Sequence, residues 1–157
     1  MKRLMKRAAA ALIAVLMICI CLASCNGSKT EKPKVTVEIY DDADEIFLKV
    51  VDMEIEDTTT AEQAVEMLCT LREAKFTKDI DGNFDSFTFE ERTISAKQEK
   101  LDNGNVKMFS FAWKLNDEIM TATSEDAVSV KMSDKVLVTG DKVVLYFLIQ
   151  EVTPDTK

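Results

Sequence analysis

The run Val143-Val144-Leu145-Tyr146-Phe147-Leu148-Ile149 places apolar side chains at seven successive positions. In an extended chain successive side chains point to opposite faces, so this run is apolar on both. A strand of that kind belongs in the middle of a sheet, covered on both sides. Thr139-Gly140-Asp141 sets its start with turn-forming residues. The fold must therefore deliver a strand from the end of the chain to the centre of a sheet.

The earlier segments supply its partners. Val35, Val37 and Ile39 alternate with Thr36, Glu38 and Tyr40, as in a half-buried strand. After a polar turn over 41–44, residues 46–55 resume an extended pattern, with Val51, Met53 and Ile55 opposite Asp52, Glu54 and Glu56. Lys49 interrupts the apolar face, which places a bulge near it. The two segments form a hairpin.

Thr58-Thr59-Thr60 precedes the one helical pattern. Thr60 with Gln63, or Thr59 with Glu62, fits a capping box, and Ala61, Ala64, Val65, Leu68 and Leu71 recur at helical spacing through about Lys75. Asn103-Gly104, where both turn positions tolerate positive φ, predicts a second hairpin between 92–101 and 106–115. Phe109, Phe111, Trp113 and Leu115 share one face of its return strand, Asn116-Asp117 offers the next turn, and 128–132 reads as an edge strand. The order is hairpin, helix, further strands and a central last strand. It predicts an α+β fold, a β-grasp-like mixed sheet with one main helix packed on one face and the last strand parallel beside the first.

The beginning of the chain has a different character. Lys2, Arg3, Lys6 and Arg7 precede residues 8–23, which are all apolar. This is the charged and hydrophobic pattern of a secretory signal, and it is too short for a spanning helix. It ends in Leu22-Ala23-Ser24-Cys25, which resembles the lipobox of bacterial lipoproteins. That resemblance implies a cleaved signal peptide over 1–24 and a Cys25 thiol carrying diacylglycerol and a palmitate-type acyl chain. Stable anchoring requires more than one such chain. Residues 25–34 read as the lipidated end and a polar tether, 35–152 as the folded domain and 153–157 as a tail. Location follows: outside the membrane, at the cell surface or in a periplasm, with the membrane itself as a partner through Cys25.

Loss of 1–24 removes four cations and no acids, so the net charge moves from −8 to −12. A surface of that sign repels nucleic acid and anionic lipid. Loss of Cys19 and Cys21 with the signal, and of Cys25 to lipid, leaves Cys69 as the one remaining thiol. No internal disulfide can form, so Cys69 is expected as a buried core thiol and stability must come from packing.

Three places resemble the transcobalamin-like C-terminal domain, a β-grasp family of bacterial surface proteins and cobalamin carriers. They are Thr59-Thr60-Ala61 opening the helix, Trp113-Lys114-Leu115-Asn116-Asp117, and Gly140-Asp141-Lys142-Val143 leading to Tyr146. Asp117 stands where that family usually has glycine, and the segment 76–92 is longer and more acidic than the family pattern. The resemblance implies a ligand or partner edge at Trp113, Asn116 and Asp117, with a cobalamin-like ligand as one expectation. A core position on the face of Phe109 and Phe111 is the alternative for Trp113.

Two further chemistries bear on the chain. Asp79, Asp81, Asn83, Asp85 and Glu90 reproduce ligand positions of a calcium-binding EF-hand loop, but Phe84 occupies the position that needs a turn glycine, so a solvated acidic loop is the expectation and calcium the alternative. The chain contains no histidine. That excludes Ser-His and Cys-His couples and His-ligated metals. No phosphate-binding glycine loop or nucleophile elbow occurs. The expectation is a non-catalytic, lipid-anchored binding module for a small ligand or an envelope component, with a structural or protein-interaction lipoprotein as the alternative.

Overall fold

The computed structural model of the chain describes residues 31–121 and 129–153. The signal peptide, Cys25, most of the tether, Val128 of the expected edge strand and residues 154–157 lie outside the described residues. The account below concerns the unit that begins at Lys32.

The elements in chain order are β1 (Lys34–Tyr40), β2 (Ile46–Glu54), α1 (Ala61–Leu71), β3 (Lys75–Lys78), β4 (Phe84–Phe89), β5 (Arg92–Ser95), β6 (Lys97–Lys100), β7 (Val106–Leu115), β8 (Glu118–Ile119) and β9 (Lys142–Val152). The class is mixed α+β, mostly sheet with one helix. The main sheet has the order β2-β1-β9-β7-β6, with β8 added to β7, and β3-β4-β5 form a separate small sheet. β9 takes the central position, parallel to β1 from Thr36↔Lys142 to Ile39↔Leu145 and antiparallel to β7 from Val106↔Val152 to Leu115↔Val143.

This register sorts the side chains. Val35, Val37, Ile39, Leu115, Trp113, Val143 and Leu145 share one face and form a single core with Ala61, Ala64, Val65, Leu68 and Cys69 of α1 and with Phe84 and Phe87 of β4. The helix packs over β1 and β2, while the small sheet reaches β7 through Phe87, whose ring meets Phe111 edge to face at 5.2 Å. The expectation that β9 is covered on both sides is corrected. Its second face carries Val144, Tyr146 and Leu148, and the last two are half-buried. Cover there comes from neighbouring side chains, as where the Lys114 ammonium lies 4.6 Å from the centre of the Tyr146 ring.

Several local expectations change for identifiable reasons. The bulge expected near Lys49 is two irregularities that flank it. Phe47 is the extra residue between the pairs Ile39↔Leu48 and Tyr40↔Ile46, and Val51 with Asp52 stand opposite the one residue Thr36. The first lets Phe47 and Leu48 both turn inward, and the second leaves Val51 exposed. The capping box uses Thr60 and Gln63, with Thr60 N–H donating to Gln63 Oε1 at 3.0 Å and Gln63 N–H donating to Thr60 Oγ1 at 3.3 Å. The helix stops at Leu71, short of Lys75, because Glu73 takes φ +56° and the amides of Glu73 and Ala74 close back on the carbonyls of Thr70 and Cys69.

The expected strand 92–101 is divided: Arg92–Ser95 pairs with β4, and Lys97–Lys100 pairs with β7. At Asn103-Gly104 only Gly104 has positive φ, at +86°. The two-residue turn with both φ positive is instead Asn116-Asp117, at +51° and +70°, between the paired Leu115 and Glu118. The edge expected over 128–132 is not a strand within 129–132; the chain there leads into a short 3-10 turn, Met132–Asp134. At the N-terminal end order begins before residue 35: the Ile55 amide donates to Pro33 O at 2.9 Å, and Lys32 pairs with Glu56 at 2.6 Å.

Lys49, which broke the apolar face in the sequence, has its partner on the second face of the sheet. Its ammonium lies 2.7 Å from Glu38 Oε1, Lys142 lies 2.9 Å from Oε2, and the Tyr40 hydroxyl donates to Oε2 at 3.0 Å. Burial alone would raise the Glu38 pKa, but these three donors outweigh it and bring it down to about 2. A carboxyl whose folded pKa is depressed contributes stability above its unfolded pKa and loses it as pH falls toward the folded value. We expect Glu38→Gln to cost about 1–2 kcal/mol above roughly pH 5, a figure reduced because both lysines are partly open to solvent. Urea unfolding of both proteins at descending pH checks this: the difference must shrink as pH falls through the acid range, and a pH-independent difference contradicts it.

Candidate functional site

Trp113 organises a recess beside the core. β7 points its indole to the covered face, where it is 5% exposed. The hairpin to β8 then brings the chain back alongside it. The Trp113 amide donates to Thr121 Oγ1 at 2.9 Å, its carbonyl accepts from Met120 N–H at 3.0 Å, and its indole Nε1 donates to Val130 O at 3.0 Å. Val130 N–H in turn donates to Met120 O at 2.9 Å. A buried indole needs a partner for its N–H, and here that partner ties 129–130 to the site.

Around it lies a cleft of about 320 Å³. Its apolar wall is Trp113, Phe111, Leu145, Phe84 and Met132, and its polar margin includes Glu62, Asp81, Asn83, Lys131 and Ser133. Phe84 reaches it because β4 carries an irregularity opposite Thr77 and Lys78, so Phe84 and Phe87, three positions apart, both face inward. The loop over 79–83 is held by Asp79: Oδ1 accepts from the amides of Asp81 (3.0 Å) and Asn83 (2.8 Å), and Oδ2 accepts from Asn83 Nδ2 (3.1 Å). The Asn83 side chain first, and these amides after it, hold the Asp79 carboxyl below its usual range. Glu62 is engaged by the Lys78 ammonium, which also meets Glu66 at 2.7 Å. Lys131 makes no ion pair among the described residues. The cleft thus combines an aromatic wall, a loop of amide and carboxylate groups, and one cation.

The structure separates the three residues expected to act together. Trp113 is a core residue that also forms a wall of the cleft. Asn116 does not reach the cleft: its Nδ2 donates to Asp141 Oδ1 at 2.7 Å and its Oδ1 accepts from Lys142 N–H at 2.8 Å, fastening the β7–β8 turn to the start of β9. Asp117 is exposed in that same turn. Asn116 positions the start of β9, and Asp117 completes the turn at φ +70°.

The same geometry places the residues with EF-hand spacing in a hairpin. Asp79–Asn83 is the loop of the β3–β4 hairpin, with Gly82 at φ +86° making its turn. Phe84 is buried in β4 and does not take positive φ, Asp85 lies in β4 where it accepts from the Thr77 hydroxyl at 3.4 Å, and Glu90 sits in the following turn. Among the described residues no three acidic or thiol side chains converge as metal ligands. Asp81 and Asn83 return as part of the cleft, a role that ligand spacing did not suggest. Lys131, Met132 and Ser133 were also missed there. The available signal was Ser133-Asp134, a turn-forming pair that ends the weak alternation before it.

Cys69 is fully buried in α1. Burial first, and the nearby Glu66 second, push its thiol up to about 12, so it is not a nucleophile near neutral pH. We expect Cys69→Ala to remove no fast-reacting thiol from the native full chain and one from the denatured chain, counted with a disulfide-exchange reagent. Loss of a fast thiol from the native protein contradicts this. Comparison of the chain with family models, with characterised proteins and with solved structures finds no match.

Proposed function

We propose that this chain is a lipoprotein module of β-grasp type, related to the transcobalamin-like C-terminal domains, held outside the membrane by lipid on Cys25 and binding a small ligand without catalysis. The β-grasp reading is supported by the last strand lying parallel beside the first, with one helix across the same face. The anchoring reading rests on the sequence 22–25 behind an apolar segment. The binding reading rests on the cleft beside Trp113.

That cleft is at the small end of ligand-sized cavities. Its volume suits a compact, partly aromatic ligand stacking against Trp113 and Phe84, with an acceptor or anionic group directed to Lys131 and Asn83. A corrinoid macrocycle is too large to be enclosed in about 320 Å³, so a cobalamin-like ligand enters only by an edge or a projecting side group. The non-catalytic reading draws on the chemistry of the lining, where Lys131 and Ser133 have no histidine to act with.

Trp113 is the one tryptophan of the chain, so its fluorescence reports on the cleft directly. With the full chain in detergent, we expect anilinonaphthalene sulfonate, a compact aromatic anion, to quench Trp113 saturably and to bind about tenfold more weakly to Lys131→Glu. Cobalamin and related tetrapyrroles are tested in the same assay. Absence of quenching by all of them counts against ligand binding. Separately, metabolic acyl labelling must disappear in Cys25→Ser, and retained label would remove the anchoring reading.

A further inference from the structure

We infer that the free edge of β2, with the groove between it and α1, is a docking site for an extended basic peptide segment of another polypeptide. Among the described residues β2 ends the main sheet and has β1 as its one neighbour, so alternate backbone amides and carbonyls face outward. At Lys49 that edge is closed: the Arg72 guanidinium donates to Lys49 O from NH2 at 2.7 Å and from Nε at 3.2 Å. Beyond it, over residues 50–54, the strand carries the Val51–Asp52 bulge, with Asp52 at φ +53°, and borders an open groove of about 840 Å³ whose far wall is α1.

The groove's chemistry specifies the occupant. Its floor is apolar, with Val50, Met53 and Met67, and it is flanked by Val51 and Leu71, which are 55% and 61% exposed. Asp52, Glu54, Glu56 and Glu66 also line it, and no lysine or arginine does. The chain itself shows what this rim accepts: Lys32 places its ammonium 2.6 Å from Glu56, and Lys78 meets Glu66 at 2.7 Å. Asp52 and Glu54 make no ion pair among the described residues. An incoming strand that alternates lysine or arginine with valine-sized apolar residues would pair with the β2 edge, lay one row of side chains on the floor and present the other to Asp52 and Glu54. About five residues span this edge, and the segment bends to follow the Val51–Asp52 bulge.

A second copy of this chain fits badly, because edge-to-edge pairing of β2 brings Asp52 and Glu54 toward their own kind. Anionic lipid and nucleic acid are repelled by the same carboxylates. The site is separate from the Trp113 cleft and does not depend on it.

The test uses the full chain in detergent and a fluorescein-labelled peptide of alternating lysine and valine, followed by anisotropy. Saturable binding is expected, weakened about tenfold or more by Asp52→Asn with Glu54→Gln and by salt raised from about 50 to about 500 mM. A peptide N-methylated at alternate amides, which cannot join a sheet edge, must lose binding. Equal binding of the methylated peptide or indifference to the two carboxylates overturns the inference. So does self-association through β2, seen as a concentration-dependent mass that Val51→Asp abolishes. The substituted side chains lie at the surface, and unchanged circular dichroism confirms that the variants are folded.

Discussion

The pairing of β9 with β1 on one side and β7 on the other is the interaction on which the rest of the molecule depends. It is the longest-range contact in the fold, joining the first strand to the last, and no disulfide among the described residues assists it. Its favourable term is burial. Val143 and Leu145 disappear into a core shared with Val37, Ile39 and Leu68, and each such side chain contributes on the order of 1.5–3 kcal/mol relative to exposure. Polar groups then fix the register. Asn116 and Asp141 bind each other, Asn116 also accepts from the Lys142 amide, and Asp141 Oδ2 accepts from Val138 N–H at 2.8 Å. On the second face, Glu38 joins Lys49 of β2 to Lys142 of β9 across β1. A single carboxylate thereby ties three adjacent strands.

Much of this was legible in the sequence because it was written in local patterns. The apolar run in β9, the alternation in β1 and the reciprocal cap of Thr60 and Gln63 each follow from a period or a spacing, and each lies where that reading put it. The small sheet was not legible. Residues 92–101 read as one strand, yet Ala96 separates two strands that pair in different sheets, a choice set by tertiary contact between Phe87 and Phe111 rather than by local preference. The helix end was missed for a related reason: Glu73 has no special liking for positive φ, and the closing hydrogen bonds to Thr70 and Cys69 carry it there.

The candidate site divides in the same way. Trp113 was singled out by resemblance, while its place on an alternating strand with Phe109 and Phe111 pointed to the core. The acidic segment was also visible, but its spacing suggested a calcium loop where the fold makes a hairpin. Asp79 is spent on holding that hairpin, and Asp81 and Asn83 reach the cleft only because Phe84 is drawn into the core beside them. Of Asn116 and Asp117, singled out by resemblance, Asn116 secures the start of β9. Acidity that the composition gave as a single net number is also distributed: Asp52 and Glu54 of the β2 groove make no ion pair among the described residues, whereas Glu38, Glu56, Glu62 and Glu66 are committed to lysines.

The claim that β9 organises the fold is open to one direct measurement, native-state hydrogen exchange resolved along the chain. Amides of residues 143–147 and their β1 partners 37–39 are expected to be the slowest, exchanging only through global unfolding, while β6 and the β3–β4 hairpin open at lower free energy. If residues 143–147 exchange as fast as β6, or if β1 opens independently of β9, the central strand does not hold the structure together and the account fails.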